Sequence, residues 1–226
     1  RCSLSCSTIL KPGKSLVQSS VIGVVPQGQL RRGFLYYIER ERAQPYRPFL
    51  HYNSWYDIGY RDEKIEQRQC LEVIELFGKE LVRRRGIMMD SFALDDGWDD
   101  TASLWQFHNG LPNGFTPLQK VAEKYDSALG AWLSPFGGYG QAKQERLKYG
   151  REQGFETNKS GFSLAGPKYY ARFRDVCVNM VREYGLNYFK FDGIGTVSRP
   201  TGADAEFVQD MQALLQLISE LRGVKP

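Results

Sequence analysis

With 226 residues, 42% of them hydrophobic and 25% charged, the chain can bury a sizeable core and does not have the composition of a disordered segment. Its 30 basic and 26 acidic side chains leave a net charge of only +4, and the basic run Arg83-Arg84-Arg85 sits beside acidic residues on a predicted helix, which reads as a solvated face and not a nucleic-acid patch. No stretch is long and apolar enough to span a membrane, so neither nucleic acid nor membrane is expected as a partner, and the oligomeric state stays open.

Residues 1–45 are expected to hold strands. Val21–Val25 and Phe34–Ile38 are clusters of β-formers, punctuated by Pro26, Gly28 and Gly33. This segment reads as the remnant of an N-terminal β-sandwich-like, β-rich domain, with a linker over residues 43–48. From Phe49 onward strands and helices alternate. A first strand, residues 49–52, ends at Asn53-Ser54-Trp55, and a helix follows over about 62–85 with Cys70, Ile74, Phe77 and Leu81 on one stripe. A second strand, 91–94, ends at Asp95-Asp96-Gly97-Trp98. A helix over 118–125 leads to a third strand, 129–133, which ends at Ser134-Pro135-Phe136-Gly137-Gly138. Helices are predicted over 140–152 and 170–184, the latter from Tyr170, Phe173, Cys177, Met180 and Tyr184. A fourth strand, 188–191, ends at Asp192-Gly193, and a last helix carries Phe207, Met211, Leu214, Ile218 and Leu221.

Repeated strand–helix units imply an α/β fold with a parallel sheet and right-handed crossovers, and a (β/α)8 barrel and an open doubly wound sheet both fit that pattern. Each strand ends, on its C-terminal side, in residues suited to binding, the place where (β/α)8 TIM-type barrels keep their active sites. Four units amount to about half a barrel. The expectation is therefore that residues 46–226 are the N-terminal half of a catalytic (β/α)8 barrel, and that the chain is a fragment or is otherwise incomplete. Of the four cysteines, Cys2 and Cys6 are close enough to pair, whereas Cys70 and Cys177 fall on apolar helix faces as buried free thiols. Because the chain starts at Arg1, a signal peptide removed or left out is compatible with it; a secreted or periplasmic location is favoured, with the compartment open.

Two constellations carry chemistry. In Tyr188-Phe189-Lys190-Phe191-Asp192, strand alternation turns Lys190 and Asp192 to one face and the two phenylalanines to the other. A neighbouring ammonium favours an ionised carboxylate, as a glycosidase nucleophile requires; a buried ion pair without catalysis is the alternative. In Asp95-Asp96-Gly97-Trp98, two carboxylates can accept hydrogen bonds from sugar hydroxyls while the indole packs on a sugar face. A capped loop and a metal site fit the same residues, although the spacing misses the EF-hand pattern. Trp55, Trp132 and Tyr139 lie at or near other strand ends, where each could equally be core. His51, inside a predicted strand, reads as a satisfied core histidine.

Taken in order, Asn53-Ser54-Trp55, Leu94-Asp95-Asp96-Gly97-Trp98, Leu129-Gly130-Ala131-Trp132 and Phe189-Lys190-Phe191-Asp192-Gly193 resemble the retaining α-galactosidases and α-N-acetylgalactosaminidases of glycoside hydrolase clan D, families 27 and 36. The resemblance runs over residues 49–195. It implies that Asp192 is the nucleophile, that Lys190 binds sugar hydroxyls, that Asp95 and Asp96 hold the far hydroxyls of the terminal sugar and that Trp55 forms a wall. It also implies an acid/base aspartate from a later strand, around the sixth, beyond this chain. Gly193-Ile194-Gly195 departs from the usual asparagine or cysteine near the nucleophile, which leaves the fine sugar specificity open. The implied partner is an oligosaccharide or glycoside, the implied reaction is two-step hydrolysis with retention, and no metal or organic cofactor is implied. Two rival readings stand beside it: a non-catalytic carbohydrate-binding protein on the same scaffold, and a metal-dependent hydrolase using the Asp95/Asp96 cluster.

Overall fold

The computed structural model describes residues 12, 13, 15, 17, 20–42, 45–59, 64–194 and 207–225. Cys2, Cys6, Gly195 and residues 43–44 of the expected linker lie outside them. The elements follow in order α1 (Leu30–Glu41), β1 (His51–Asn53), a 3-10 turn (Ser54–Tyr56), α2 (Gln67–Phe77) running into a π-helical turn (Gly78–Arg83), β2 (Ser91–Leu94), β3 (Asp99–Asp100), β4 (Gln106–Phe107), α3 (Thr116–Glu123), β5 (Ala128–Leu133), α4 (Gly140–Glu152), β6 (Thr157–Asn158), β7 (Gly161–Phe162), α5 (Pro167–Tyr184), β8 (Tyr188–Phe191) and α6 (Val208–Val224).

The four predicted strands of the repeating region form one parallel sheet in the order β1-β2-β5-β8. Its register decides which side chains share a face. Tyr52, Phe92, Leu94, Leu129, Ala131 and Leu133 face the helices and are buried, with Phe189 and Phe191 on the same side. The helices answer with their apolar stripes: Cys70, Val73 and Ile74 on α2, Leu118 and Ala122 on α3, and Tyr169, Phe173, Cys177, Met180 and Val181 on α5. Burying one such phenylalanine contributes about 2 kcal/mol. Cys70 and Cys177 are buried free thiols, as their apolar setting predicts.

The opposite face carries Asn53, Ala93, Gly130, Trp132, Tyr188 and Lys190. Here the sheet curls strongly. His51 on the first edge strand and Tyr188 on the last bring their ring centres to 4.8 Å although two strands lie between them. Gly130 makes this curvature possible, because a Cβ there would come within 2.8 Å of the Tyr188 ring. An α/β chain with a curled parallel four-stranded sheet and six helices among its described residues is a partial TIM-barrel-like fold.

The N-terminal expectation fails at the level of its elements. Phe34–Ile38 is not a strand but the middle of helix α1, and Val21–Val25 forms no strand. The cluster of β-formers is flanked by Arg31-Arg32 and Glu39-Arg40-Glu41-Arg42, good helix formers that also pair locally, as in the Arg42–Glu39 ion pair at 2.9 Å. Strand propensity expresses packing against neighbouring strands, and α1 has no buried residue and no such neighbour.

Candidate active site

The C-terminal ends of the four parallel strands gather on one side of the sheet. Asp95 follows β2, and its carboxylate is almost wholly buried, 3% exposed. Its Oδ2 accepts from Asn53 Nδ2 at the end of β1 (2.8 Å) and from Lys190 Nζ on β8 (2.8 Å), while its Oδ1 accepts from the Asp96 backbone N–H (3.0 Å). The Asp95 backbone N–H donates to Ser54 Oγ at 2.8 Å. Residues from three strand ends thus converge on one carboxylate. Trp55 stands half-buried in the adjoining 3-10 turn, its backbone N–H donating to Asn53 Oδ1 at 3.0 Å.

Asp192 immediately follows β8, with 34% of its side chain exposed. Trp132 Nε1 donates to its Oδ2 (3.1 Å), Tyr139 Oη to its Oδ1 (2.9 Å), and the Gly193 backbone N–H also to Oδ1 (2.7 Å). Burial works against its charge. The donors from Trp132, Gly193 and Tyr139, with Lys190 nearby, outweigh burial and hold the carboxyl below the usual aspartate range. Burial and the carboxylate together push the Tyr139 phenol upward. Lys190 shares a face with Asp192, as strand alternation requires, but the lysine's shorter pairing is with Asp95: Nζ is 2.8 Å from Asp95 and 4.0 Å from Asp192. About a third of each of the Lys190 and Asp192 side chains is exposed.

Asp96 turns to a different cation. Arg146 Nη2 donates to Asp96 Oδ1 at 2.8 Å. Burial raises the Asp96 carboxyl above its ordinary value, Arg146 pulls it down, and the charges of Asp99 and Asp95 add to the rise. Both members of the aspartate pair are therefore already faced by side-chain cations, and among the described residues no group of three His, Cys, Asp or Glu side chains is placed to hold a metal ion.

The tryptophans divide. Trp132 is buried and works by its edge, through the N–H to Asp192, not by offering a face to a ligand. Trp98 belongs wholly to the core: it is fully buried, donates Nε1–H to the Trp132 carbonyl at 2.8 Å and packs against Trp105, Phe107 and Phe115. The expected stacking of Trp98 on a sugar face is corrected accordingly, since no ring face is open. Three contributors went unassigned in the sequence. In the sequence Tyr139 simply lies near a strand end, Asn53 belongs to a short motif, and Arg146 is one of many charged residues on a hydrophilic helix. None of them carries a local signal of its role.

No family model and no curated protein matches this sequence. Among solved structures the chain is similar to an α-galactosidase from Thermus thermophilus in complex with p-nitrophenyl α-D-galactopyranoside, with a TM-score of 0.58 and 19% identity, over 80% of this chain and 37% of that one. The same enzyme in complex with stachyose aligns with a TM-score of 0.58 and 19% identity, over 80% of this chain and 39% of that one. An uncharacterized protein from Listeria monocytogenes, in complex with α- and β-D-glucose, magnesium and calcium, aligns at a TM-score of 0.50 and 11% identity, over 79% of this chain and 20% of that one. The likeness is one of fold: the chain shares part of the fold of the Thermus chains and spans under two-fifths of their length.

Proposed function

We propose that the protein carrying this chain is a retaining α-glycosidase of the clan D type, acting on α-galactoside-type sugars with Asp192 as nucleophile. The observation that carries this reading is the Asp192 carboxylate itself. It stands at the C-terminal end of a strand, is kept ionised by three hydrogen-bond donors and is one-third open, a lysine's length from a second, buried carboxylate. An ionised, aimed and accessible carboxylate is what attack at an anomeric carbon needs.

In the proposed reaction an Asp192 oxygen bonds to the anomeric carbon as the glycosidic C–O bond breaks. An acid from elsewhere in the protein gives its proton to the departing oxygen. Water then attacks the glycosyl ester, the same acid now acting as base, and the sugar leaves with its configuration retained. Lys190, Asp95 and Asp96 would hold the hydroxyls of the terminal sugar, with Trp55 at the rim. Trp132 and Tyr139 would keep the nucleophile oriented through their donors to its two oxygens. The bond to Lys190 orients Asp95, and it also places the ammonium between the binding arm and the reacting arm.

A panel of nitrophenyl glycosides tests the substrate class. Turnover of the α-galactoside above the β-galactoside and the α-glucoside is expected, and preference for either of the latter would overturn it. A protein that holds galactosides but turns none over would instead be a binding protein on the same scaffold. Replacing Asp192 by glycine and adding azide tests the nucleophile: a glycosyl azide should form from an activated substrate.

A further inference from the structure

Arg146 is in an unexpected place. Helix α4 is otherwise strongly hydrophilic, yet Arg146 is completely buried. Its donors account for the burial. Nε and Nη2 reach the two oxygens of Asp99 at 3.0 and 2.6 Å, Nη1 reaches the Gly137 carbonyl at 3.1 Å, and Nη2 also reaches Asp96 at 2.8 Å. The guanidinium lies 4.8 Å from the ring centre of Trp105 and 5.3 Å from that of Trp132. The loop before α4 is shaped to admit it: Gly138 sits at φ +87°, and a Cβ there would come within 2.7 Å of Nη1.

A pair with Asp99 alone would suffice to tie α4 to β3. The arm to Asp96 and the stacking on Trp132 go further, because they join the guanidinium both to the Asp95/Asp96 pair and to the indole that donates to Asp192. We infer that Arg146 is a positioning residue of the site: anchored on Asp99, it holds Asp96 as an acceptor beside Asp95 and fixes the indole whose N–H reaches Asp192. This rests on the reading in which Asp96 and Asp192 serve a sugar, and it adds the residue that sets their geometry.

The charged and titratable groups acting on Asp96 are Arg146 from α4, Asp99 from β3 and its neighbour Asp95, with Lys190 from β8 bound to Asp95 and Tyr139 standing before α4. Arg146 and Asp99 act on it with opposite sign. That opposition distinguishes positioning from simple support. In the protein carrying this chain, the Asp96 carboxyl is followed by carbon NMR, assigned by its loss in Asp96→Asn, in Arg146→Gln and Asp99→Asn. The Asp96 midpoint moves up in Arg146→Gln and down in Asp99→Asn, each by at least about half a pH unit, because one change removes an attracting charge and the other a repelling one. Arg146→Lys restores part of the first shift, since an ammonium supplies the charge without the planar fork. On a nitrophenyl α-galactoside, Arg146→Gln raises KM by about tenfold and lowers kcat less, as loss of ground-state and transition-state binding together requires.

A folded Arg146→Gln with an unmoved Asp96, or shifts of the same sign in both variants, overturns the inference. If Arg146→Gln does not fold, Asp99→Asn decides alone, and a midpoint that fails to fall overturns it. The titration needs no turnover. Opposite shifts without hydrolysis would therefore remove the glycosidase reading and leave the positioning role, whereas hydrolysis with an unmoved Asp96 would do the reverse.

Discussion

The two carboxylate arms of the cleft are built differently. Asp95 has 3% of its side chain exposed, is held from Asn53 and Lys190 and leans on Ser54 through its backbone, while the neighbouring Asp96 is tied to a guanidinium that is itself fully buried. Asp192 has 34% exposed, and of the three groups donating to it Tyr139 is itself exposed. The first arm resembles the interior of a protein, with every charge answered, so losing one partner exposes another charge to a poor solvent. The second arm resembles a surface group held by neighbours. Its loss costs the fold little and the proposed chemistry everything. Loss of the second arm should therefore spare stability, whereas loss of the first should not.

The largest effect follows from removing the negative charge of Asp192. In the protein carrying this chain, Asp192→Asn should lower kcat by about 10⁴-fold or more, the scale seen when a nucleophile is deleted in other hydrolases. The amide keeps the shape of the carboxylate and still accepts from Trp132 or Tyr139, so the melting temperature should stay within a few degrees. Wild-type turnover in this variant would end the assignment, and joint loss of folding and activity would merge the two arms into one structural network.

Asp95→Ala is expected to weaken the fold as well as sugar binding. It leaves Lys190 and Asn53 without their acceptor and should cost about 2–3 kcal/mol, less than a fully buried pair because Lys190 is one-third exposed. Denaturant unfolding gives the measurement. A cost equal to that of Asp192→Ala would erase the contrast.

How much of this was readable beforehand divides along the same physical lines. The strand ends were legible because the sequence of a short parallel strand closed by Asn53, Asp95 or Asp192 changes from apolar to polar within one residue. Helix α5 was legible because Tyr170, Phe173, Cys177 and Tyr184 repeat at helical spacing against a sheet. What failed depends on contacts distant in sequence. Phe34 and Ile38 look like strand residues, but they have no strand beside them and form a helix. Trp98 follows two aspartates in a loop, yet its indole turns inward among Trp105, Phe107 and Phe115. Arg146 carries no local signal, and Asp99, Asp96, the Gly137 carbonyl and two indoles together make its burial tolerable. The two-residue strands β3, β4, β6 and β7 are too short to leave a periodicity.

Between the arms stands Trp132, and Trp132→Phe sharpens the comparison. A smaller aromatic ring remains while the Nε1–H donated to Asp192 at 3.1 Å is lost. Since that bond favours the charged carboxylate, its removal raises the Asp192 carboxyl, and the acid limb of the kcat/KM profile should move to higher pH. The stability cost should be about 1–3 kcal/mol, from the lost hydrogen bond and the space left by the second ring of the buried indole. A profile unchanged in its acid limb would mean that Asp192 does not govern it.

The smallest effect is expected at Tyr139, the most exposed partner of Asp192. Tyr139→Phe removes only the hydroxyl that donates to Oδ1 at 2.9 Å. Because the ring is more than half exposed, stability at neutral pH should change by no more than about 0.5 kcal/mol. The pH dependence carries the information. A carboxyl held below its unfolded value of about 3.9 contributes stability that is present above that value and is lost as pH falls through the folded value. Removing one donor narrows the gap between the folded and unfolded values. The variant should therefore be slightly less stable than the parent at about pH 6, and the difference should close as the pH falls below about 4. The acid limb of kcat/KM should move up in the same direction as in Trp132→Phe, by a smaller step, because two donors remain. A melting difference that persists undiminished to low pH would assign Tyr139 to packing, and would leave Trp132 and the Gly193 amide as the groups that hold Asp192 charged.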